Sequence, residues 1–214
     1  MAPWGNKRIR RATIVFVSAC ALGLGLATSA GATPSPPVLS GTNPASPANA
    51  NQILVIGTAE AGSTVNLYPD ANCSGSPYPP GSAAIFASPG LQVQVPDNST
   101  TTMSATAVDA SSSVSACSAP ITFVEDSKPP NTFIRRIRVP NRTQRIIARF
   151  RSNESRARFQ CRADPWRPFG RCGGVPRSVR ASLGRHRFQV RAIDAAGNVD
   201  PTPASRVVVV HGNR

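Results

Sequence analysis

Cysteine, histidine, arginine and one loop tryptophan are the residues of this 214-residue sequence with chemistry to offer. Five cysteines occur, at 20, 73, 117, 161 and 172. If Cys20 leaves with an N-terminal signal, Cys73, Cys117, Cys161 and Cys172 remain, and an even number in an exported chain reads as disulfides. Four cysteines allow three connectivities. A zinc site made from all four is the rival reading, but there is no C-x-x-C pair and an oxidising compartment favours bridges. His186 and His211 are the only histidines. A Ser-His-Asp set can be written from the abundant serines, yet no nucleophile elbow frames one, and H-E-x-x-H, Walker and Rossmann glycine patterns are missing. The chain therefore reads as a non-enzyme without a cofactor. Glu125 and Asp126 beside Asp109 are a thin set for calcium, which takes about six to eight oxygen ligands, so no metal is expected. Trp166, flanked by Pro165, Arg167 and Pro168, lies between Cys161 and Cys172. A constrained tryptophan can stack on a sugar; the plainer expectation is that it covers the core beneath its loop.

Charge is the stronger signal. The formal net charge is +14, with 22 arginines and two lysines. From Thr33 to Ser127 there is no Lys or Arg and there are six acids: Glu60, Asp70, Asp97, Asp109, Glu125 and Asp126. From Lys128 to Arg214 there are 20 basic residues against Glu154, Asp164, Asp194 and Asp200, a net +16. A coding bias explains arginine over lysine, but not its confinement to one half. Alternation puts Arg156, Arg158 and Arg162 on the outward side of one strand and Arg185, Arg187 and Arg191 on that of another. If these are the C and F strands of an immunoglobulin-like sandwich, six guanidinium groups share one face as candidate anion-binding residues. Like charges directly opposed across a sheet repel, and a bound phosphate or carboxylate would relieve this. Arg149 and Arg151 fall on a third strand, expected in the other sheet. The partners that fit are a wall glycan, extracellular nucleic acid or an acidic protein domain, including the chain's own first domain. Sequence-specific DNA reading is not expected, because no recognised DNA-binding motif is present.

These residues must be positioned by strands. Lys7, Arg8, Arg10 and Arg11 precede an apolar run from Ala12 to Ala27, and Ala30 and Ala32 satisfy A-x-A spacing, so residues 1–32 read as a signal peptide. Two other readings are lipidation of Cys20 within Val17-Ser18-Ala19-Cys20 and an uncleaved anchor. No transmembrane span is expected after cleavage, and the protein reads as extracellular or associated with the cell envelope. Residues 33–51 are a flexible Pro/Ser/Ala/Asn-rich lead-in, 52–127 an acidic domain, 128–130 a proline linker, 131–211 an arginine-rich domain and 212–214 a tail. Short apolar runs such as Ile53–Thr58, Thr64–Tyr68 and Ile121–Val124 are separated by turn residues, and Leu91, Val93 and Val95 alternate with polar neighbours. In the second half Ile146, Ala148 and Phe150 alternate with Ile147, Arg149 and Arg151, and Phe159 and Cys161, then His186, Phe188, Val190 and Ala192, alternate with arginines and glutamines. This pattern is all-β: two consecutive immunoglobulin-like β-sandwich domains after a signal peptide. The domain split selects the pairs 73–117 and 161–172.

An internal repeat supports two copies of one fold. Ala107-Val108-Asp109-Ala110-Ser111-Ser112-Ser113-Val114-Ser115 aligns with Ala192-Ile193-Asp194-Ala195-Ala196-Gly197-Asn198-Val199-Asp200. The second half, through Phe159-Gln160-Cys161-Arg162-Ala163-Asp164, Arg171-Cys172, Gly184–Ala192 and Asp194–Ala204, resembles the bacterial Ig-like repeats of secreted actinobacterial proteins. The first resembles a related module through Gly57-Thr58-Ala59, Val65–Tyr68, Asn72–Gly75 and Ser115–Ser118, but has Ser112-Ser113 where Gly-Asn is expected. The resemblance implies extracytoplasmic, non-catalytic sandwiches with an oxidised cysteine pair in each. Function then reads as a binding or structural module whose basic domain contacts an anionic surface. The alternatives are a passive spacer or adhesin fragment and, less well supported, a small secreted hydrolase.

Overall fold

A computed structural model describes Met1 and residues 33–141, 143–172 and 177–212. Residues 2–32, on which the signal-peptide, cleavage, lipidation and anchor readings fall, lie outside the described residues. Among the described residues no helix is long and apolar enough to cross a membrane.

The first sandwich contains β1 (Val38–Asn43), β2 (Gln52–Thr58), β3 (Thr64–Tyr68), β4 (Gly81–Ser82), α1 (Ala83–Ala87), β5 (Leu91–Gln94), β6 (Thr100–Val108) and β7 (Ile121–Val124). The second contains β8 (Thr132–Arg138), β9 (Arg145–Ser152), β10 (Arg158–Arg162), β11 (Gly170–Arg171), β12 (Ser178–Arg180), β13 (Gly184–Ile193) and β14 (Ala204–Val210). Sheets β1-β2-β5 and β4-β3-β6-β7 in the first correspond strand for strand to β8-β9-β12 and β11-β10-β13-β14 in the second. Every named ladder is antiparallel. Two immunoglobulin-like sandwiches are thus built to one plan, and α1 is the only added element among the described residues.

Alternation drives burial as the strand period requires. Ile53 and Val55 of β2, Val65 and Leu67 of β3, Leu91 and Val93 of β5, and Met103 and Ala105 of β6 meet in one core, closed by Phe86 and Phe123. Gly57 is needed there, because a Cβ would stand 2.3 Å from the Phe86 ring. Ile146, Ala148, Cys161, Phe188 and Val190 form the second core. Cys73 is bonded to Cys117 and Cys161 to Cys172.

The stretch 33–51 is not wholly a flexible lead-in, since Val38–Asn43 pair with β2 as an edge strand. Its Gly and flanking prolines read as linker by composition, yet an edge strand tolerates both. The aligned turns are the same structure. Asp109 N–H donates to the Ser113 carbonyl and Asp194 N–H to the Asn198 carbonyl, each at 3.1 Å. Ser112 (φ 67°) takes the left-handed conformation that Gly197 (φ 95°) takes in the second copy. Departure from Gly-Asn therefore leaves the turn geometry intact.

Candidate functional site

The second sandwich owes its surface to where its acids go. Asp164, Asp194 and Asp200 are buried, at 2%, 2% and 1% exposure. Asp200 Oδ2 accepts from Thr132 N–H (2.9 Å) and its Oδ1 from Thr202 (2.8 Å). Asp194 accepts from Asn198 N–H and Nδ2, each at 2.8 Å. Asp164 Oδ2 lies 2.7 Å from His186 Nδ1 and its Oδ1 accepts from Arg187 N–H at 3.1 Å. Glu154, half-buried, lies with Asp126 and Asp194 in a group whose carboxylate oxygens are within 4.8 Å of one another. Burial, then the charges of Asp194 and Asp126, raise its pKa above the ordinary 4.5, with Lys128 opposing. Among the described residues no arginine comes within ion-pair distance of a carboxylate, and His186–Asp164 is the one such pair. The exposed faces of this sandwich therefore carry cations without counter-charges.

Of the six arginines expected on one face, Arg158 and Arg162 of β10 and Arg185, Arg187 and Arg191 of β13 share the outward side of the four-stranded sheet. Arg156 does not belong to that strand. It precedes β10 with φ 64°, which breaks the alternation on which its placement relied. The direct repulsion expected between the two strands is also not found, because the register opposes Arg162 to Gln189, Arg191 to Gln160 and Arg158 to Ile193. The glutamines are used: Arg162 Nε donates to Gln189 Oε1 (2.8 Å) and Arg191 Nε to Gln160 Oε1 (2.9 Å). Both guanidinium carbons stand 4.2 Å from the Phe169 ring centroid, a cation–π arrangement. Arg158, Arg185 and Arg187 are exposed and have no side-chain partner among the described residues.

Directly opposed arginines occur instead in the other sheet, where Arg149 was expected. There β9 pairs Arg149 with Arg136 of β8, and Arg145 with Arg180 of β12. Sequence reading missed β8 because its inward apolar residues, Ile134 and Ile137, are three apart and Phe133 beside them is exposed. A bulge between Ile134 and Arg136 inserts one residue and keeps both isoleucines facing inward. Arg136, Arg138, Ile147 and Arg149 line a concavity open to solvent on this face.

Trp166 does not cover the core. It is 77% exposed, on the loop closed by Cys161–Cys172. Arg162 Nη1 donates to the carbonyls of Pro165 (2.8 Å) and Arg167 (3.3 Å), pinning the backbone on both sides of the ring. His186 is buried as its inward strand position demands, and its Nε2 meets the Ser182 carbonyl oxygen at 2.9 Å. The nitrogen a triad base would offer to a nucleophile is thus taken by backbone. Of the acids considered for calcium, Asp109 accepts from the Ser111 hydroxyl, which with the Ser113 and Ser111 N–H groups holds its pKa down. Glu125 is buried and accepts from Asn98 N–H. Only Asp126 joins the group with Glu154 and Asp194, and that group is held beside Asn198, which donates to the Asp126 carbonyl (2.7 Å) and accepts from Asn49 (2.6 Å).

No family model and no curated protein matches this chain. Similar solved structures include the fibronectin(III)-like modules of Clostridium thermocellum CbhA, at 15% identity over 82% of this chain and 94% of that one, with a TM-score of 0.46. The FN1-FN3 domains of chicken CNTN1 are 10% identical over 83% and 66%, with a TM-score of 0.46. The central fibronectin-III array of RIM-binding protein is 13% identical over 85% and 69%, with a TM-score of 0.28. At these scores the likeness carries nothing about activity or ligand.

Proposed function

We propose that this chain is an exported, non-catalytic binding module whose second sandwich contacts an anionic polymer outside the cytoplasm. The observation that carries this reading is the inward placement of Asp164, Asp194 and Asp200 beneath faces that present arginines without carboxylates. Unscreened guanidinium groups on a rigid sheet attract a polyanion over roughly 8 Å at physiological salt and meet it without reorganising. Export is supported by the basic, apolar and A-x-A pattern of residues 1–32 and by two disulfides, which persist in oxidising compartments. The non-catalytic reading rests on His186, whose ring nitrogens are both engaged within the fold.

A passive spacer is the second reading, favoured by the Asn49–Asn198–Asp126 hydrogen bonds that tie the two sandwiches together. Titrating the oxidised chain with phosphorylated wall glycan, DNA and heparin at rising salt separates the two. Binding that weakens steeply with salt is expected; no binding at low salt leaves the spacer. Mass spectrometry of the exported protein should find Thr33 at its N-terminus, and an intact Met1 would overturn the processing.

A further inference from the structure

Cross-strand like charges are costly, and the β8–β9 pair does nothing within the fold to offset them. Arg136 and Arg149 are direct partners, Arg138 sits opposite Ile147, and all four line the same concavity. None of the three guanidinium groups has a hydrogen-bond, aromatic or acidic partner among the described residues, unlike Arg162 and Arg191 on the opposite sheet. The bulge matters here. In a regular strand Arg136, two residues after Ile134, would share its face and point to the core; the bulge turns it outward.

The first sandwich is an internal control. Its β1–β2 ladder carries a bulge at the corresponding point, between Leu39 and Gly41. There Gly41 opposes Ile56 and Asn43 opposes Leu54, where the second sandwich has Arg136 opposing Arg149 and Arg138 opposing Ile147. The fold forms this ladder without any charge, so the three arginines answer to something other than folding.

Their geometry selects a ligand class. One arginine fork satisfies the two coplanar oxygens of a carboxylate. Three forks converging on one concavity are matched by an anion whose oxygens point in several directions, a tetrahedral one. Ile147, half-buried on the same wall, adds apolar surface and no competing acceptor.

We infer that the β8–β9 concavity is a tetrahedral-oxyanion site, where Arg136, Arg138 and Arg149 take a phosphate or sulfate ester group of an anionic polymer. The inference rests on the polyanion-binding reading of the second sandwich and assigns that contact to one face.

The test uses the whole oxidised chain and three probes of matched charge: inorganic polyphosphate, dextran sulfate and poly-glutamate. One variant combines Arg136→Gln, Arg138→Gln and Arg149→Gln. A control combines Arg158→Gln, Arg185→Gln and Arg187→Gln, removing the same charge from the opposite sheet; unchanged circular dichroism confirms both fold. Loss of three charge-assisted contacts predicts at least about a tenfold drop in affinity for the first variant. The control should lose several-fold less. The tighter of polyphosphate and dextran sulfate identifies the ester, and poly-glutamate should bind weakest. Equal losses in the two variants, or poly-glutamate binding as tightly as both esters, would overturn the site while leaving the polyanion reading intact. No binding of the unaltered chain to any probe would overturn both.

Discussion

Replacing Asp164 with alanine strikes the junction between the disulfide loop and β13. Its carboxylate meets His186 Nδ1 at 2.7 Å and accepts from Arg187 N–H at 3.1 Å, and it is 2% exposed. Alanine leaves a buried imidazole and a part-buried N–H unsatisfied, each at about 1–3 kcal/mol, and opens a small void besides. A total of about 3–5 kcal/mol follows, which for a sandwich of this size lowers Tm by at least about 10 °C. Asparagine is a different perturbation. Its Oδ1 still accepts from Arg187, and its Nδ2 donates to Nδ1 when the ring proton sits on Nε2, facing the Ser182 carbonyl. Asp164→Asn should therefore cost no more than about 1–2 kcal/mol. Calorimetry or far-ultraviolet circular dichroism is the assay, because Trp166 is already exposed in the folded chain and its emission reports unfolding poorly. An alanine cost under about 1 kcal/mol, or an asparagine as costly as alanine, would refute the hydrogen-bond reasoning.

Gly197→Ala should destabilise by about 1–2 kcal/mol through backbone strain alone, since an added Cβ meets nothing within 4 Å, whereas Ser112→Gly should stabilise the matching turn in urea titrations. The pKa of Glu154 is raised in the folded chain, so its protonated form is the favoured one: that stabilisation is complete below the unfolded value near 4.5 and lost as pH rises through the folded value. Glu154→Gln should accordingly raise Tm at pH 7, with the gain vanishing as pH falls below that range; a constant gain at every pH would count against a charge effect. Replacing Cys161 and Cys172 with serine releases a bridge of sequence separation 11, an expected loss of about 3 kcal/mol in chemical denaturation.

Both sandwiches were legible because their strands are half-buried, and Leu91-Gln92-Val93-Gln94 or His186–Ala192 write that condition as strict alternation. The aligned aspartate turns were legible because Asp109 and Asp194 perform one local task, independent of tertiary context. Strand β8 escaped, since a bulge adds a residue and destroys the period on which strand reading depends. With it went Arg136 and Arg138. Trp166 misled for another reason. Its exposure is set by Arg162 gripping the Pro165 and Arg167 carbonyls, a contact that spacing does not encode. Charge segregation was visible at once, but composition treats Asp164, Asp194 and Asp200 as offsetting surface charge, and burial removes them from it.

The most direct measurement of the central claim is the salt dependence of binding to polyphosphate by the oxidised chain. If three or four arginines displace counterions from a single-stranded polymer, log K against log salt concentration should be linear with a slope of about −2 to −3. The slope should shrink toward zero when Arg136, Arg138 and Arg149 are all replaced with glutamine. A salt-independent affinity, or no measurable binding at low salt, would contradict the account.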